Sequence, residues 1–251
     1  MELLRTPELI KSLDSAGRSL AAAAAQAGPD APVPTCPGWQ IRDLLRHTGM
    51  VHRWATAFVA ERHTGYRPGG EEPDLDGKAL LAWFEDGHAS LVAALGRAPG
   101  DLECWTLAPT RSPLRFWARR QAHETTVHRM DAEAALGIEP GTVDAGLAVD
   151  GIDELLCMFH ARPKSRVRTD VPRTLRVSTT DTGDSWTARL STGPLRTDRT
   201  ASGPADSELS GTAQLLYATL WNRRPLSAVS LSGDATLARL WRDTSGITWA
   251  R

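Results

Sequence analysis

The sequence predicts a two-domain protein of mixed α and α/β class, with a four-helix bundle over residues 1–140 and a smaller α+β domain over 141–251. Three observations support this prediction. A chain of 251 residues suits two modest domains better than one. Before Gly137, apolar residues recur at helical spacing in four segments. After Gly137, several short segments alternate apolar and polar residues, as half-buried strands do.

The N-terminal half is expected to form four amphipathic helices separated by loops. Thr6-Pro7-Glu8 is a typical helix start, with Thr6 as the capping residue, proline at the first helical position and an acid in the first turn. A loop broken by four prolines precedes the second helix. The predicted helices cover about 6–26, 39–63, 78–95 and 113–136. Four such helices in succession are typical of a four-helix bundle.

The C-terminal half is expected to mix helices and strands. Asp144 is positioned to start a helix that continues to His160, and turn-forming residues at 182–184 and 192–193 separate alternating segments. The predicted strands cover 174–180, 185–191, 194–200, 208–210 and 228–232, and two further helices cover 212–221 and 235–242. This order predicts an α+β domain whose boundary with the bundle falls between Gly137 and Asp144.

Composition argues against several classes of partner. A formal net charge of -1 gives no electrostatic reason to expect nucleic acid or an anionic membrane surface. No apolar run is long enough to span a bilayer, and the N-terminus carries charges where a signal peptide has its apolar core. The odd number and wide spacing of Cys36, Cys104 and Cys157 indicate reduced thiols. We therefore expect a cytoplasmic protein. We also expect it to be a monomer or a homodimer.

The fourth predicted helix carries an unusual group of ionisable residues. Glu124 and His128 are four residues apart, so they project from one face, one turn apart. Arg120 and Asp131 fall near the same stripe. A carboxylate and an imidazole placed in this way can share one metal ion, provided that a third donor comes from elsewhere in the chain.

The second predicted helix offers two histidines as the third donor. His47 and His52 are five residues apart and hence rotated by about 140° from each other, so we expect only one to face the bundle interior. His47 shares its stripe with apolar residues and is the predicted donor, whereas His52 is expected nearer the rim. The same spacing separates His123 from His128, and only His128 shares the Glu124 face.

Two histidines and one carboxylate match a catalytic zinc site, in which three protein ligands leave one position open for water or a thiolate. The same donors also suit Fe²⁺ or Ni²⁺, and spacing does not distinguish these metals. Arg120 is placed to orient a carboxylate or carbonyl group of a bound ligand, and Asp131 to accept the second ring N–H of His128. The alternative is structural: Glu124 and His128 would form a helix-surface pair, and His47 would be a hydrogen-bonded core residue.

Three segments resemble the mycothiol-dependent maleylpyruvate isomerase family, which belongs to the DinB-like four-helix metalloenzymes. Residues 36–55, CPGWQIRDLLRHTGMVHRWA, are similar to the family's loop and second helix. Residues 116–137, FWARRQAHETTVHRMDAEAALG, are similar to its fourth helix, and 143–251 resemble its C-terminal, sterol-carrier-like α+β domain. Carried over by position, the family's zinc ligands fall on His47, Glu124 and His128.

The resemblance also implies a cofactor and further site residues. It implies Zn²⁺ together with mycothiol, a low-molecular-weight thiol that serves as cofactor or co-substrate. The family's C-terminal domain contributes an arginine near the thiol, and the matching position is Arg223, with Arg224 next to it. Both arginines are therefore predicted thiol-binding residues, and Arg223 is also a predicted catalytic residue.

From these observations we expect a zinc-dependent thiol S-transferase that uses mycothiol. A thiolate held by the metal would attack an electrophilic small molecule, and Arg120 or Arg223 would stabilise anionic groups of the thiol or the substrate. The aromatic residues Trp39, Trp54 and Trp117 lie near the predicted ligands in sequence, which suits a bulky electrophile as well as a small dicarboxylate. Three alternatives stay open: cis–trans isomerisation of maleylpyruvate, hydrolysis by metal-bound water, and non-catalytic ligand binding beside a relic metal site.

Overall fold

A computed structural model describes residues 3–247 of the chain. Internal contacts divide the chain into two compact units between Gly141 and Thr142. The first unit is helical and the second contains a mixed β-sheet with helices, so the predicted fold class is confirmed. Within the described residues, no helix combines the length and apolar character needed to cross a membrane.

Four long helices form the N-terminal unit. Each packs chiefly against two neighbours in the cyclic order α1, α4, α2, α3, which is the arrangement of a four-helix bundle. Leucine and aromatic side chains such as Leu13, Leu44 and Phe84 fill its interior. The helices are α1 Thr6–Ala27, α2 Ile41–Glu61, α3 Gly77–Arg97 and α4 Pro113–Ala135.

The starts of α1 and α2 differ in detail from the prediction. Thr6 is the first helical residue and not the cap, because Arg5 occupies the capping position and its backbone N–H donates to the Glu8 carboxylate at 2.9 Å. In α2 the helix begins at Ile41, after Gln40, so Trp39 belongs to the preceding loop. There its carbonyl accepts a loop hydrogen bond instead of a helical one.

The fourth helix, α4, is the central element of the bundle. Most of its side chains are buried, including the charged and polar Arg120, Glu124, His128 and Asp131. Buried charges are costly unless they are paired or hydrogen-bonded. The partners of these four side chains consequently define the candidate site.

The C-terminal unit is built on a five-stranded sheet of order β3-β2-β1-β4-β5. The central pair, β1 and β4, is parallel, and the other neighbouring pairs are antiparallel. The strands are β1 Arg173–Thr179, β2 Ser185–Leu190, β3 Arg196–Asp198, β4 Ser207–Gly211 and β5 Ser230–Gly233. The helices are α5 Ala145–Glu154, α6 Ala213–Leu220 and α7 Ala235–Thr244.

Two C-terminal elements depart from the prediction. The helix expected to reach His160 changes to a π-helical turn over Leu155–Phe159, where the His160 N–H donates to the Leu155 carbonyl five residues back. The strand predicted over 228–232 begins only at Ser230, because Leu226–Ala228 forms a 3₁₀ turn. In both places a hydrogen bond spans a number of residues other than the four of an α-helix, five at His160 and three at Ala228. The local backbone therefore departs from the element that periodicity predicts.

Candidate metal centre

Helices α2 and α4 bring His47, Glu124 and His128 together. One donor atom from each side chain lies within 4.8 Å of the other two. Glu124 Oε1 is 3.3 Å from His47 Nε2 and 3.2 Å from His128 Nε2. The three side chains are only 8–12% exposed. The structure thus places the three residues selected from helical spacing around one point, and their role as ligands stays a prediction.

The two carboxylate oxygens of Glu124 face different partners. Oε1 faces the two imidazoles, whereas Oε2 accepts a hydrogen bond from the Arg120 guanidinium at 3.1 Å. Arg120 is one turn before Glu124 on α4 and is itself buried. The Arg120 guanidinium thus holds a side chain of the site. Its predicted role towards a carboxylate or carbonyl group of a bound ligand stays a prediction.

The other ring nitrogen of His128 is held by Asp131. His128 Nδ1 lies 2.9 Å from Asp131 Oδ2, which directs Nε2 towards Glu124. Two residues of the loop before α2 donate to the same carboxylate: Thr35 Oγ1 to Oδ1 at 2.5 Å and Cys36 Sγ to Oδ2 at 3.4 Å. Helical spacing predicts the Asp131 contact but not those of Thr35 and Cys36, since no periodicity links that loop to α4.

Trp39 lines the cluster from the same loop. Its ring is edge-on to His47, with centroids 5.1 Å apart, and nearly parallel to His128, with centroids 6.3 Å apart. Trp54 and Trp117, which the sequence places near the ligands, instead contact each other at 5.3 Å and both pack on Phe58. Of the three tryptophans, Trp39 is the one whose ring contacts the imidazoles.

Electrostatics within the cluster favour a carboxylate next to an imidazolium in the metal-free protein. Burial alone would raise the pKa of Glu124, but hydrogen bonds with His128 and His47 and the charge of Arg120 hold that pKa well below its usual range. Burial alone would lower the pKa of His128, but hydrogen bonds with Asp131 and Glu124 raise it to about 9. A metal ion that binds at Nε2 must therefore displace a proton.

The donor set fits a divalent transition metal. Two imidazole nitrogens and one carboxylate oxygen are ordinary zinc ligands, and three protein ligands are typical of a site with an open position. Cys36 is not a fourth donor, because its sulfur contacts the Asp131 oxygen that bonds Nδ1 of His128, on the side of the ring away from Nε2. Among the described residues the cluster contains these three side chains alone.

Other candidate residues lie elsewhere. His52 was expected near the rim, and this expectation is wrong: its side chain is fully buried, with Nε2 2.8 Å from the hydroxyl of Thr125. Helix α2 packs against both α3 and α4, so two of its faces are inward, and His52 faces Phe84 of α3. Arg223 and Arg224 follow α6 in the C-terminal unit, and their predicted thiol-binding role stays a prediction.

Two family models match successive parts of the chain. The profile of the family described as "Mycothiol maleylpyruvate isomerase N-terminal domain" matches residues 10–133, and that of the "MDMPI C-terminal domain" matches residues 146–240. No match is found among curated proteins.

Two solved structures share the fold over nearly the whole chain. One is a mycothiol-dependent maleylpyruvate isomerase, with a TM-score of 0.63, 14% identity, and coverage of 92% of this chain and 96% of that chain. The other is a histidine-to-alanine mutant of a mycothiol-dependent maleylpyruvate isomerase, with a TM-score of 0.65, 13% identity and the same coverage. At such low identity the likeness establishes the fold alone.

Proposed function

Because the chain belongs to the mycothiol maleylpyruvate isomerase family, we propose that it is a metal-dependent enzyme that uses mycothiol as a nucleophile towards an electrophilic small molecule. The observation that carries this proposal is the convergence of His47, Glu124 and His128, whose donor atoms lie within 4.8 Å of one another. The metal proposed is Zn²⁺, with Ni²⁺ or Fe²⁺ compatible with the same donors.

Each residue of the centre has a distinct task in this proposal. His47, Glu124 and His128 would hold the ion, and Arg120 keeps one oxygen of Glu124 turned away from the imidazoles. Asp131 orients His128 through Nδ1. A bound zinc ion lowers the pKa of a coordinated thiol, so that its sulfur is nucleophilic at neutral pH.

The reaction that we propose first is S-transfer. When mycothiol adds to a conjugated electrophile, a carbon–sulfur bond forms and the thiol proton ends on the neighbouring carbon.

Two observations favour an electrophile recognised largely by apolar contact. The charge of Arg120 is partly compensated by Glu124, and Trp39 presents an indole ring beside the imidazoles. Arg223 and Arg224 are proposed to bind polar groups of the thiol.

A second candidate reaction is cis–trans isomerisation of maleylpyruvate. It is favoured by the family description and by the names of both similar structures. Here the carbon–sulfur bond forms, the former double bond rotates as a single bond, and the carbon–sulfur bond then breaks. The thiol is returned unchanged, and the product has the mass of the substrate.

Mass spectrometry of the products distinguishes these candidates. Purified protein loaded with Zn²⁺ is incubated with mycothiol and a panel of conjugated electrophiles that includes maleylpyruvate. S-transfer yields the summed mass of thiol and electrophile, whereas isomerisation leaves the mass and the thiol concentration unchanged. Glu124→Gln is the inactive control.

Two other outcomes would contradict the proposal. Turnover that does not depend on any thiol would indicate hydrolysis instead. Ligand binding that survives Glu124→Gln, without consumption of thiol, would indicate a non-catalytic binding protein.

The partners in this proposal are a low-molecular-weight thiol and a small electrophile. We propose a cytoplasmic site of action, where low-molecular-weight thiols are kept reduced. The active form is proposed to be a monomer or a homodimer.

A further inference from the structure

The loop between α1 and α2 is closed by its own hydrogen bonds. The Val33 N–H donates to the Trp39 carbonyl at 2.9 Å, the Cys36 N–H to the Val33 carbonyl at 3.0 Å, and the Trp39 N–H to the Cys36 carbonyl at 3.0 Å. Gly38 has φ of +85°, in the left-handed region that favours glycine. We call residues 33–39 the Val33–Trp39 loop. Its backbone is held in one shape by contacts that do not involve the metal ligands.

This loop contacts a carboxylate that also contacts the candidate metal centre. Asp131 is fully buried and accepts from Thr35 Oγ1 at 2.5 Å, from Cys36 Sγ at 3.4 Å and from His128 Nδ1 at 2.9 Å. A carboxylate with three donors in fixed positions satisfies all of them in a narrow range of orientations. The orientation of Asp131 is therefore set jointly by the loop and by His128.

The same loop also contacts the second histidine. Trp39 closes the loop and lies edge-on to His47, with ring centroids 5.1 Å apart. Its ring is also nearly parallel to that of His128, at an interplanar angle of 20°. The Val33–Trp39 loop thus restrains His128 through Asp131 and His47 by direct packing.

We propose that the Val33–Trp39 loop is a positioning device for the metal centre, in which Thr35 and Cys36 fix Asp131 so that His128 presents Nε2 to the ion. The inference rests on the proposed function, since it presumes that the cluster binds a metal. It goes further by giving Thr35 and Cys36 a role in metal affinity although neither is a ligand. A group that hydrogen-bonds a metal ligand directly, as Asp131 does, typically changes metal affinity by about 10–100-fold when removed, and Thr35 and Cys36 act one contact further out.

The geometry separates this role from two others that a cysteine near a metal suggests. The Cys36 sulfur contacts Asp131 Oδ2, the atom that also bonds Nδ1 of His128, and so lies on the far side of the imidazole from Nε2. A metal ligand would lie on the Nε2 side. A nucleophile that attacks a substrate at the metal would lie there as well. Cys36 is accordingly a positioning residue.

Thr35→Val tests the proposal because it removes the hydroxyl while nearly keeping the shape of the side chain. We expect Zn²⁺ affinity, measured by equilibrium competition with a chromogenic chelator, to fall about tenfold, the lower end of the range for a direct partner of a ligand. The absorption spectrum of the Co²⁺-loaded protein should change as well, because it reports ligand geometry. Thr35→Ser restores the hydroxyl and should restore both readouts. Thr56→Val is the matched control, since the Thr56 hydroxyl donates to the His52 carbonyl and not to Asp131.

A double mutant tests whether Thr35 acts through Asp131. In an Asp131→Asn background, Thr35→Val should cause little further loss of Zn²⁺ affinity. If the losses of Zn²⁺ affinity in the two single variants add fully in the double mutant, the proposal is overturned. It is also overturned if Thr35→Val alone has wild-type affinity and an unchanged Co²⁺ spectrum. If Thr35→Val does not fold, Cys36→Ala is measured in the same way and must lower affinity. A wild-type protein that binds no divalent metal would instead contradict the proposed function itself.

Discussion

His47 and His128 present their imidazoles edge-on to each other, with ring centroids 5.1 Å apart and planes at 80°. One ring is carried by α2 and the other by α4, so their separation depends on how the two helices pack. The Nε2 atom of each ring lies within 3.3 Å of Glu124 Oε1. The packing of the two helices therefore brings the donors together, and their proposed role as ligands can be tested directly.

Glu124→Gln should abolish stoichiometric metal binding. Replacing the carboxylate by a neutral amide leaves two imidazoles and a much weaker third donor. Metal analysis of protein purified without added metal is expected to give about one zinc per wild-type chain and close to none per variant chain.

The matched control for this variant is Glu133→Gln on the same helix. Glu133 accepts a hydrogen bond from the Gly141 N–H at 2.9 Å and does not belong to the cluster. The Glu133→Gln variant should retain the metal content of the wild type. Equal metal content in the wild type and in Glu124→Gln would show that Glu124 does not hold an ion, and the cluster would then have a purely structural role.

Arg223→Gln should weaken the use of mycothiol without changing metal content. A lost charge-assisted hydrogen bond to the thiol corresponds to roughly 1.5–3 kcal/mol, or about a tenfold or larger fall in kcat/KM for mycothiol. Steady-state kinetics at varied mycothiol, with metal analysis of the same samples, measures both. Arg196→Gln, at an exposed position of β3, is the control. Unchanged kinetics in Arg223→Gln would remove this residue from the proposed thiol site.

The stability of the folded protein should fall in acid partly because of His160. Burial, together with the nearby charges of Arg162 and Arg168, lowers the pKa of His160 from 6.5 to about 4. Between these pH values the unfolded chain takes up a proton that the folded protein does not, so the free energy of unfolding decreases as pH falls. The full contribution is about 3 kcal/mol.

His160→Gln should remove this pH dependence, because glutamine does not titrate and can still hydrogen-bond the Ser165 hydroxyl. Urea unfolding at pH 7 and at pH 4.5 is the measurement. The wild type should lose about 2–3 kcal/mol more than the variant between the two conditions. Equal losses in both proteins would contradict the assignment.

We expect that position 17 of α1 does not tolerate a side chain larger than that of glycine. A Cβ at this position would lie 2.2 Å from Cε1 of His88, whose ring is buried and parallel to that of Phe84. Gly17→Ala is therefore expected to destabilise the protein by about 1–3 kcal/mol, measured by urea unfolding.

A glycine in open space provides the comparison. Gly96, near the end of α3, has no heavy atom within 4 Å of its would-be Cβ. Gly96→Ala should stabilise by about 0.5–1 kcal/mol, because alanine loses less backbone freedom in a helix. A neutral or stabilising effect of Gly17→Ala would contradict the close approach of His88 to α1.

The parts of the molecule that could be predicted from sequence are those governed by local spacing. Glu124 and His128 share a face because they are four residues apart on one helix, and Asp131 follows at a distance that lets it reach His128. The bundle helices carry apolar residues at the same period, so their limits fall within a few residues of the prediction.

The parts that could not be predicted depend on contacts between distant segments. Thr35 and Cys36 reach Asp131 across 96 and 95 residues, and a loop has no periodicity that could indicate its partner. The inward position of His52 was excluded by assuming that α2 has one buried face. Because α2 packs against two helices, a rotation of about 140° leads from one interior surface to another.

The distance in sequence between two of the proposed ligands has a consequence for the folded chain as a whole. His47 and Glu124 are 77 positions apart, and the segment between them contains all of α3. An ion held by both would act as a removable cross-link that closes this long segment, and an ion that binds the folded state alone raises the melting temperature by mass action. The thermal stability of the bundle would then increase with the fraction of chains that hold the ion. Metal supply would in this way set the lifetime of the folded enzyme as well as its turnover rate.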